Sequence, residues 1–442
     1  MPASQLLISL WHAWLRVVTQ GLHDWLRRLI GSNFARSYRW DTTALFKKLS
    51  ESDPQRLKIA ILTTDNRQHF QDYSNPMPYF GMAPEALLQG LACIKDLEVH
   101  VISCVRREMK SPEKIANNIW FHSLLVPKFG WMTSAYQGCI RAVRKRLQEL
   151  RPDIVHGQGS ERECAISAVL SGFPNVITIH GNMAELARLF KHPVGSFGWL
   201  AAKFETFALW KTAGVFCNSQ YTESLVRPRA RRTWLVPNAI REQFFSPIAE
   251  PLAPRSKCVL TNVGLISPRK RQLELLDTAR QLKERGLNFE FHFIGHLGTD
   301  AYAEAFLERI KPLESAGFAR FLGPKSTTEL IEAFDLASGM VHFPSEEAFG
   351  LVVAEGLARN LKFFGAHTGG IIDISEGVPG VELVDVEDWE RLSSAITGWI
   401  SSGAAKPEDV AKLMEARYHP AVIAKRHVEI YREVLSANHA DR

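Results

Sequence analysis

The chain has 442 residues, which is too many for one ordinary hydrophobic core and suits two domains. Its hydrophobic content of 46% and charged content of 23% are ordinary for a soluble globular protein and exclude a low-complexity chain. The formal net charge of +6 favours anionic partners such as phosphates or anionic lipid, although ordinary scatter of surface charge explains it equally well.

The N-terminal segment has the pattern of an amphipathic helix. Residues 5–31 place apolar side chains at helical spacing on one face, and Trp11, Trp14 and Trp25 lie on that face among leucines. A Gly-Ser-Asn sequence ends the pattern, so an N-terminal helix is expected within 1–33.

The charge of this segment bears on what the helix contacts. Residues 1–40 carry five Arg and one Asp. A basic helix rich in Trp and Leu is typical of an anchor at a membrane surface. A later basic helix would add Arg141, Arg144, Lys145 and Arg146 to the same face. The apolar stripe suits docking on the first domain or packing in a dimer equally well, so the oligomeric state stays open.

Cysteine spacing and targeting signals bear on the compartment. The six cysteines include no C-x-x-C pair, so neither zinc nor a redox motif is predicted. The first fifteen residues contain no Lys or Arg, so the basic region of a secretory signal is missing. No apolar run approaches the roughly 20 residues that span a bilayer. We therefore expect a cytoplasmic protein, peripheral on the inner face of the membrane through residues 5–31.

Apolar runs then alternate with helical patterns, beginning at Leu57. The strands predicted in this part cover 57–63, 99–104, 153–156, 176–180, 215–217 and 234–236, and the helices cover 84–94 and 132–150. Strands that alternate with helices predict a doubly wound parallel sheet. The first domain is therefore expected over 55–245.

A segment with three prolines, 246–254, predicts an extended linker, after which the alternation restarts. The strands predicted there cover 258–263, 289–294, 320–322, 340–343, 361–364 and 381–384, with a helix from Lys270. The second domain is expected over 256–419. A last helix within 420–442 is expected to cross back to the first domain. Two such domains would bind a ligand between them.

The most informative segment runs from Pro344 to Ala358. A turn carries Glu346 and Glu347, and a helix predicted from Phe349 holds Glu355. Unpaired amides and the dipole at a helix start favour a ligand's oxygens and negative charge. A carboxylate about two turns further on, at Glu355, can accept hydrogen bonds from a vicinal diol such as ribose. A glutamate at a helix start is also an ordinary dipole partner, so the spacing alone does not decide.

The spacing of Glu347 and Glu355, with its Pro-Ser prefix and the later Gly369–Gly370 turn, resembles the hallmark of retaining glycosyltransferase family four, the glycosyl transferases group 1. The resemblance covers residues from about 57 to 437. It implies an α/β chain of GT-B fold, in which two Rossmann-like doubly wound domains face each other across a cleft. It also implies transfer of a sugar, with retention, from a nucleotide-diphospho-sugar to an acceptor hydroxyl.

The resemblance assigns roles around the glutamates. It implies Glu347 near the hydroxyls of the donor sugar and Glu355 on the ribose. The amides of Phe349 and Gly350 would help to hold the sugar and phosphate. The base edge would be read by backbone around 323–325.

The opening of the second domain also matches the family. A strand ending in Val-Gly264 is followed by Lys270, which the resemblance places on the diphosphate, although an ordinary helix-start lysine is the alternative. The family usually has Arg directly after that glycine, and this chain has Leu265. Either one diphosphate contact is missing, or Arg269 or Arg271 takes it over.

In the first domain the resemblance implies that His180, at a strand end before Gly181, lies beside the donor sugar; a structural histidine is the alternative. The glycine-rich loop of the family is reduced to Gly81, with Met82 beside it. Ala239 replaces the glycine of the family's Pro-Asn-Gly. No D-x-D metal site is present, and the family typically needs neither a metal nor a cofactor beyond the donor.

Two alternative functions remain open. One is a non-catalytic scaffold of the same fold that binds a nucleotide or a partner, favoured by Leu265, Met82 and Ala239. The other is a nucleotide-sugar epimerase. The expected partners are a nucleotide sugar, a glycan or lipid-linked acceptor of cell-envelope polysaccharide synthesis, and a membrane surface; nucleic acid is not expected.

Overall fold

The computed structural model describes residues 56–247 and 257–440. The amphipathic helix predicted over 5–31 and most of the predicted linker, 248–254, lie outside the described residues. The described part is an α/β protein with two sheets, each surrounded by helices, which confirms the predicted fold class. We call the parts around the first and second sheets the N-terminal and C-terminal domains.

The N-terminal domain contains an eight-stranded sheet in the order β3-β4-β2-β1-β5-β6-β7-β8 within the described residues. Its strands are β1 (Leu57–Leu62), β2 (Leu97–Val105), β3 (Lys114–Ala116), β4 (Ile119–Leu125), β5 (Ile154–Gln158), β6 (Asn175–Ile179), β7 (Val215–Cys217) and β8 (Thr233–Leu235). Neighbouring strands are parallel except β3 and β4, which form an antiparallel hairpin.

The hairpin of β3 and β4 was not predicted. Polar residues interrupt the β4 sequence IWFHSLL, and only Ile119 and Phe121 of this strand are buried. β4 nevertheless pairs with β2 over seven residue positions, from Val99↔Ile119 to Val105↔Leu125. Pairing with an already buried strand holds it in the sheet, and a weak apolar period does not reveal such pairing.

The helices of the N-terminal domain connect these strands. They are α1 (Arg67–Phe70), α2 (Met82–Ala92), α3 (Gln137–Leu150), α4 (Glu163–Val169), α5 (Met183–Leu189), α6 (Phe197–Lys211) and α7 (Gln220–Val226). α3 begins five residues later than predicted, because Ala135 and Tyr136 adopt left-handed conformations with φ of 51° and 60°. Its buried residues recur on one face, and its basic residues lie on the other.

The C-terminal domain contains a six-stranded parallel sheet in the order β11-β10-β9-β12-β13-β14 within the described residues. Its strands are β9 (Cys258–Val263), β10 (Phe289–Ile294), β11 (Ala319–Phe321), β12 (Gly339–His342), β13 (Lys362–Ala366) and β14 (Val381–Val384). β12, a central strand of this sheet, is buried at all four positions, as expected for a parallel strand covered on both faces.

Its helices are α8 (Gln272–Glu284), α9 (Ala301–Ser315), α10 (Thr327–Leu336), α11 (Leu351–Leu357), α12 (Gly370–Ser375), α13 (Trp389–Ser401), α14 (Val410–Tyr418) and α15 (Pro420–Ala440). α15 leaves this domain and packs against α2 of the other, where a side chain at Gly90 would collide with the carbonyl of Pro420. Tyr431 of α15 is fully buried there, and its hydroxyl lies 2.6 Å from Nδ1 of His156 in β5.

The two domains also meet where the parallel strands end. Ser219, which caps α7, donates a hydrogen bond of 2.6 Å from its hydroxyl to the carbonyl oxygen of Ala348, after β12. Phe70, after β1, stacks on His296, after β10, with ring centroids 5.4 Å apart. The carboxyl ends of both sheets therefore face each other, and ligands of open α/β sheets bind at such an edge.

Candidate functional site

A buried ion pair lies at the carboxyl edge of the second sheet. Lys270 ends a short 3-10 turn after β9, and its ammonium forms an ion pair with the carboxylate of Glu347, after β12. The two residues are only 8% and 9% exposed. Nε2 of His342, the last residue of β12, lies 3.1 Å from Glu347 Oε2 and 3.3 Å from Lys270 Nζ. The structure therefore brings two of the predicted site residues together and adds His342, which the sequence analysis missed.

The electrostatics of this cluster keep Glu347 ionised. Burial raises the pKa of Glu347, but the charge of Lys270 and the hydrogen bond from His342 outweigh it and hold that pKa far below its usual range. Burial, together with the adjacent charge of Lys270, lowers the pKa of His342 to about 4, so its ring is neutral at pH 7. Burial also lowers the pKa of Lys270. The negative charge of Glu347 raises that pKa, but the effect of burial is larger.

The main chain of Glu347 is held by the predicted Gly-Gly turn. The amide of Gly370 donates to the carbonyl oxygen of Glu347 over 2.9 Å. Gly369 has φ of 52°, and a Cβ atom there would lie 1.9 Å from the same oxygen. A side chain at Gly369 is therefore excluded both by backbone conformation and by contact. The two glycines fix the loop that positions Glu347.

Arg269 lies beside the pair and has a carboxylate partner of its own. Its guanidinium donates to the carbonyl oxygen of Glu346 over 3.0 Å and to the Glu346 carboxylate over 3.3 Å. Tyr221 of the N-terminal domain also forms a hydrogen bond with the carboxylate of Glu346. Arg269 therefore lies at the interdomain edge, next to Lys270.

Arg271 points elsewhere, so its proposed place on the diphosphate needs correction. Its guanidinium donates to the carbonyl oxygen of Val386 over 2.8 Å, pairs with Glu387 over 2.7 Å and stacks on the ring of Trp389. The left-handed backbone of Arg271, with φ of 58°, turns the chain into α8 at this point. Its side chain thus joins the loop after β14 instead of the Lys270 cluster.

Glu355 is buried in α11 and pairs with Arg241, a residue that the sequence analysis did not select. Arg241 donates to Glu355 Oε1 over 2.8 Å and to the hydroxyl of Thr327 over 2.6 Å. The other carboxylate oxygen, Oε2, is buried and has no hydrogen-bond partner among the described residues. Burial raises the pKa of Glu355, and Arg241 opposes this rise. No local pattern marks Arg241, since its partner is 114 residues away.

Three other predicted residues lie around these pairs. Phe349 is a core residue, 3% exposed, with its ring against Tyr418, so any ligand contact must come from its main chain. Gly350 has φ of 99° and caps α11, which begins at Leu351, two residues later than predicted. Gly264 lies against the side-chain stem of Lys270.

The predicted residues of the N-terminal domain lie across the cleft. His180 follows β6, and its Nε2 lies 2.8 Å from Gln158 Oε1. Burial lowers the pKa of His180 to about 4, although a hydrogen bond with Asn238 opposes this, so the ring is neutral at pH 7. Gly81 caps α2 close to the side chain of Asn66.

Two features are absent from the described residues. No group of three or more His, Cys, Asp or Glu side chains there is arranged to hold a metal ion. In the same part of the chain, each helix is too short or too polar to cross a membrane.

Two protein-family models match this chain, and each covers most of one domain. Residues 86–244 match the family model described as Glycosyltransferase Family 4, and residues 247–417 match Glycosyl transferases group 1. The phosphatidylinositol N-acetylglucosaminyltransferase GPI3 subunit of Saccharomyces cerevisiae is 23% identical over 318 residues, which cover 68% of this chain and 67% of that protein.

A second relative and a solved structure complete the comparison. The D-inositol 3-phosphate glycosyltransferase of Corynebacterium diphtheriae is 33% identical over 135 residues, 29% of this chain and 31% of that protein. Sucrose-phosphate synthase from Thermosynechococcus elongatus has the same fold, with a TM-score of 0.70 and 16% identity over 86% of this chain and 100% of that one. The chain therefore belongs to the glycosyltransferase family 4 type of the group 1 glycosyltransferases, with the GT-B fold.

Proposed function

We propose that this glycosyltransferase moves a sugar from a nucleotide-diphospho-sugar to an acceptor hydroxyl with retention at the anomeric carbon. The observation that carries the proposal is the buried cluster of Lys270, Glu347 and His342 at the edge of the second sheet that faces the other domain. A cation and an ionised carboxylate side by side suit a donor that presents a diphosphate next to sugar hydroxyls.

Lys270 and Arg269 are the proposed diphosphate-binding residues. Their present partners are Glu347 and Glu346, so a bound diphosphate would share or replace those contacts. Leu265 is half exposed at the position where the family has Arg, and Arg269 supplies a guanidinium nearby. The main-chain amides of Phe349 and Gly350 complete the proposed phosphate and sugar contacts.

Glu347 is the proposed catalytic carboxylate and His180 a positioning residue from the opposite domain. Because its pKa is lowered, Glu347 is available at pH 7 to accept hydrogen bonds from sugar hydroxyls. In the proposed front-face reaction, the acceptor oxygen forms the new bond to the anomeric carbon while the bond to the diphosphate oxygen breaks. The leaving phosphate takes the acceptor's proton, and no metal ion is proposed.

Glu355 is proposed to bind the ribose. Its free oxygen, Oε2, can accept a hydroxyl hydrogen bond, while Arg241 fixes Oε1. A buried acceptor without a donor costs free energy, and a ribose hydroxyl would remove that cost. The base is proposed to contact backbone around 323–325, and Gly81 to approach the donor from the N-terminal domain.

The proposed acceptor is lipid-linked or part of a cell-envelope glycan, reached from the inner face of a membrane. Two relatives are named for phosphatidylinositol and for D-inositol 3-phosphate, both of which carry a phosphate. The amphipathic sequence of residues 5–31 is the proposed anchor. Deleting residues 1–33 should release the protein from anionic vesicles and leave nucleotide binding intact. A truncated protein that still sediments with vesicles would refute this anchor, as would one that unfolds.

Ligand-induced stabilisation tests the donor assignment. UDP, GDP and ADP should be compared in thermal melts, and the correct diphosphate at 100 times its Kd should add about 2.7 kcal/mol. Lys270→Ala should weaken the binding of the nucleoside diphosphate much more than the binding of the matching nucleoside. Equal loss for both would mean that Lys270 is structural.

Turnover distinguishes the alternatives. Transfer requires an acceptor and releases a nucleoside diphosphate. A scaffold would bind the nucleotide without consuming any nucleotide sugar, and an epimerase would consume it with no acceptor present. Either result would reject the proposed reaction.

A further inference from the structure

A cavity lies in the N-terminal domain, away from the Lys270 cluster. It has a volume of about 310 Å³ and lies among the segments that follow β1, β2, β4, β5 and β6. His69, Arg106 and Arg162 contribute its basic side chains, and Trp131 and Phe197 contribute aromatic walls. The cavity therefore combines positive charge with apolar surface.

The two arginines of this cavity differ in their ion pairing from most buried or half-buried arginines among the described residues. Most buried or half-buried arginines elsewhere in the described residues have a carboxylate partner, as Arg67 has in Asp65 and Arg241 has in Glu355. In the same part of the chain neither Arg106 nor Arg162 forms an ion pair with a carboxylate. The guanidinium of Arg106 lies 4.7 Å from the ring centre of Trp131, which fixes it on the cavity wall.

A buried carboxyl group lies beside these arginines. Glu163 follows Arg162 directly and is only 2% exposed, and neither of its carboxylate oxygens has a hydrogen-bond partner in the described residues. Burial raises the pKa of Glu163 to about 7, and the charges of Arg162 and Arg106 only partly oppose that rise. A carboxyl group that is partly protonated at neutral pH only weakly offsets the positive charge of the arginines.

The cavity is next to the interdomain cleft. His69 lines the cavity, and the following residue, Phe70, stacks on His296 of the C-terminal domain. A ligand held between Arg106 and Arg162 would therefore lie on the acceptor side of the cleft, a few residues from the contact between the domains.

We propose that this cavity binds a phosphate group carried by the acceptor, with Arg106 and Arg162 as its anion-binding residues and Trp131 and Phe197 as the apolar wall beside it. Guanidinium groups form paired, charge-assisted hydrogen bonds with phosphate oxygens, which makes them suited to this ligand. The inference rests on the proposed function, because it names the chemistry of that reaction's acceptor. Lipid headgroups and soluble sugar phosphates share this group.

The first test uses inorganic phosphate as the probe. The full-length protein is saturated with the nucleoside diphosphate that stabilises it most, so that the Lys270 site is occupied, and phosphate is titrated by calorimetry. Arg106→Ala and Arg162→Ala should each weaken phosphate binding about tenfold or more, as expected for loss of a charge-assisted contact. Arg107→Ala is the matched control, because that exposed guanidinium lies over the ring of Tyr73 and does not line the cavity.

The outcomes separate this inference from the proposed function. If no nucleoside diphosphate stabilises the protein, the proposed function fails, and the titration is then made on the ligand-free protein. If nucleotide binds but phosphate affinity is the same in wild type and in the Arg106→Ala/Arg162→Ala double variant, the phosphate site is rejected. Equal losses in the double variant and in Arg107→Ala would reject it as well.

A second test identifies the source of the phosphate. Transfer is measured to a soluble hexose phosphate and to vesicles of phosphatidylinositol in phosphatidylcholine, with pure phosphatidylcholine as the blank. An increase in KM for one of these acceptors in the double variant, with unchanged stabilisation by nucleotide, supports the site and names its ligand class. Equal KM values for wild type and variant with every acceptor used would overturn it.

Discussion

The C-terminal site and the N-terminal cavity differ in whether their cationic side chains have carboxylate partners. Lys270, Arg269 and Arg241 each have a glutamate partner, and Lys270 and Arg241 are nearly buried. Arg106 and Arg162 line an open cavity without a carboxylate partner among the described residues. The first arrangement fixes the geometry of the site before a ligand binds, whereas the second leaves net positive charge for an incoming anion. Removing one member of an ion pair in the first region should therefore affect stability as well as binding or turnover, whereas removing Arg106 or Arg162 should affect ligand binding alone.

The largest effect is expected from Glu347→Gln. Turnover should fall roughly 100-fold or more, the scale of losing one preorganised transition-state contact. Glu347 is only 9% exposed, so the variant also leaves a nearly buried lysine without its charge partner. Removing one partner of a buried pair costs about 3–5 kcal/mol. Nucleotide-sugar turnover and urea unfolding measure the two effects separately.

A double variant distinguishes the catalytic effect from the stability effect. Lys270→Met/Glu347→Gln removes both charges and should recover most of the lost stability, since no unpaired charge remains in the site. Its turnover should stay low. A well-folded Glu347→Gln protein with wild-type turnover would remove Glu347 from the proposed mechanism.

A smaller effect, confined to stability, sharpens the comparison between the two regions. Arg241→Met leaves the buried carboxylate of Glu355 unpaired and should lower the free energy of unfolding by about 3 kcal/mol. Arg106→Met removes an exposed guanidinium that has no carboxylate partner among the described residues, and it should change that free energy by no more than about 0.5 kcal/mol. Urea unfolding of both variants checks the difference. Equal losses of unfolding free energy in the two variants would mean that Arg106 stabilises the fold as much as Arg241 does.

A further effect on stability depends on pH. The folded-state pKa of Glu163, about 7, is above its ordinary value of 4.5, so this group favours folding below pH 4.5 and that contribution is lost as pH rises through 7. Glu163→Gln should therefore match wild type near pH 4.5 and exceed its free energy of unfolding by up to about 3 kcal/mol above pH 7. Glu284→Gln, at an exposed site, controls for the loss of one negative charge. A pH-independent difference for Glu163→Gln would contradict the burial argument.

Most of the fold was predictable because its signals are local. The strands predicted at Cys258–Val263, Phe289–Ile294 and Val381–Val384 have those bounds in the structure. Parallel strands covered on both faces are short apolar runs, and such runs are visible in the sequence without knowledge of their partners. β4 was missed because its pairing with β2, and not its own apolar pattern, holds it in the sheet, and β3 was missed because it depends in turn on its pairing with β4.

The candidate site divides in the same way. The sequence determined the motif positions of Glu347, Glu355 and Lys270, because each follows a predictable strand or lies at a fixed spacing from another motif residue. The tertiary structure decided which cation meets which carboxylate: Lys270 pairs with Glu347, Arg241 pairs with Glu355, and Arg271 turns to another loop. The cavity of Arg106 and Arg162 also appears only when five segments are brought together by the sheet. Ion pairs and cavities depend on distances between residues remote in the chain, and local sequence patterns do not encode those distances.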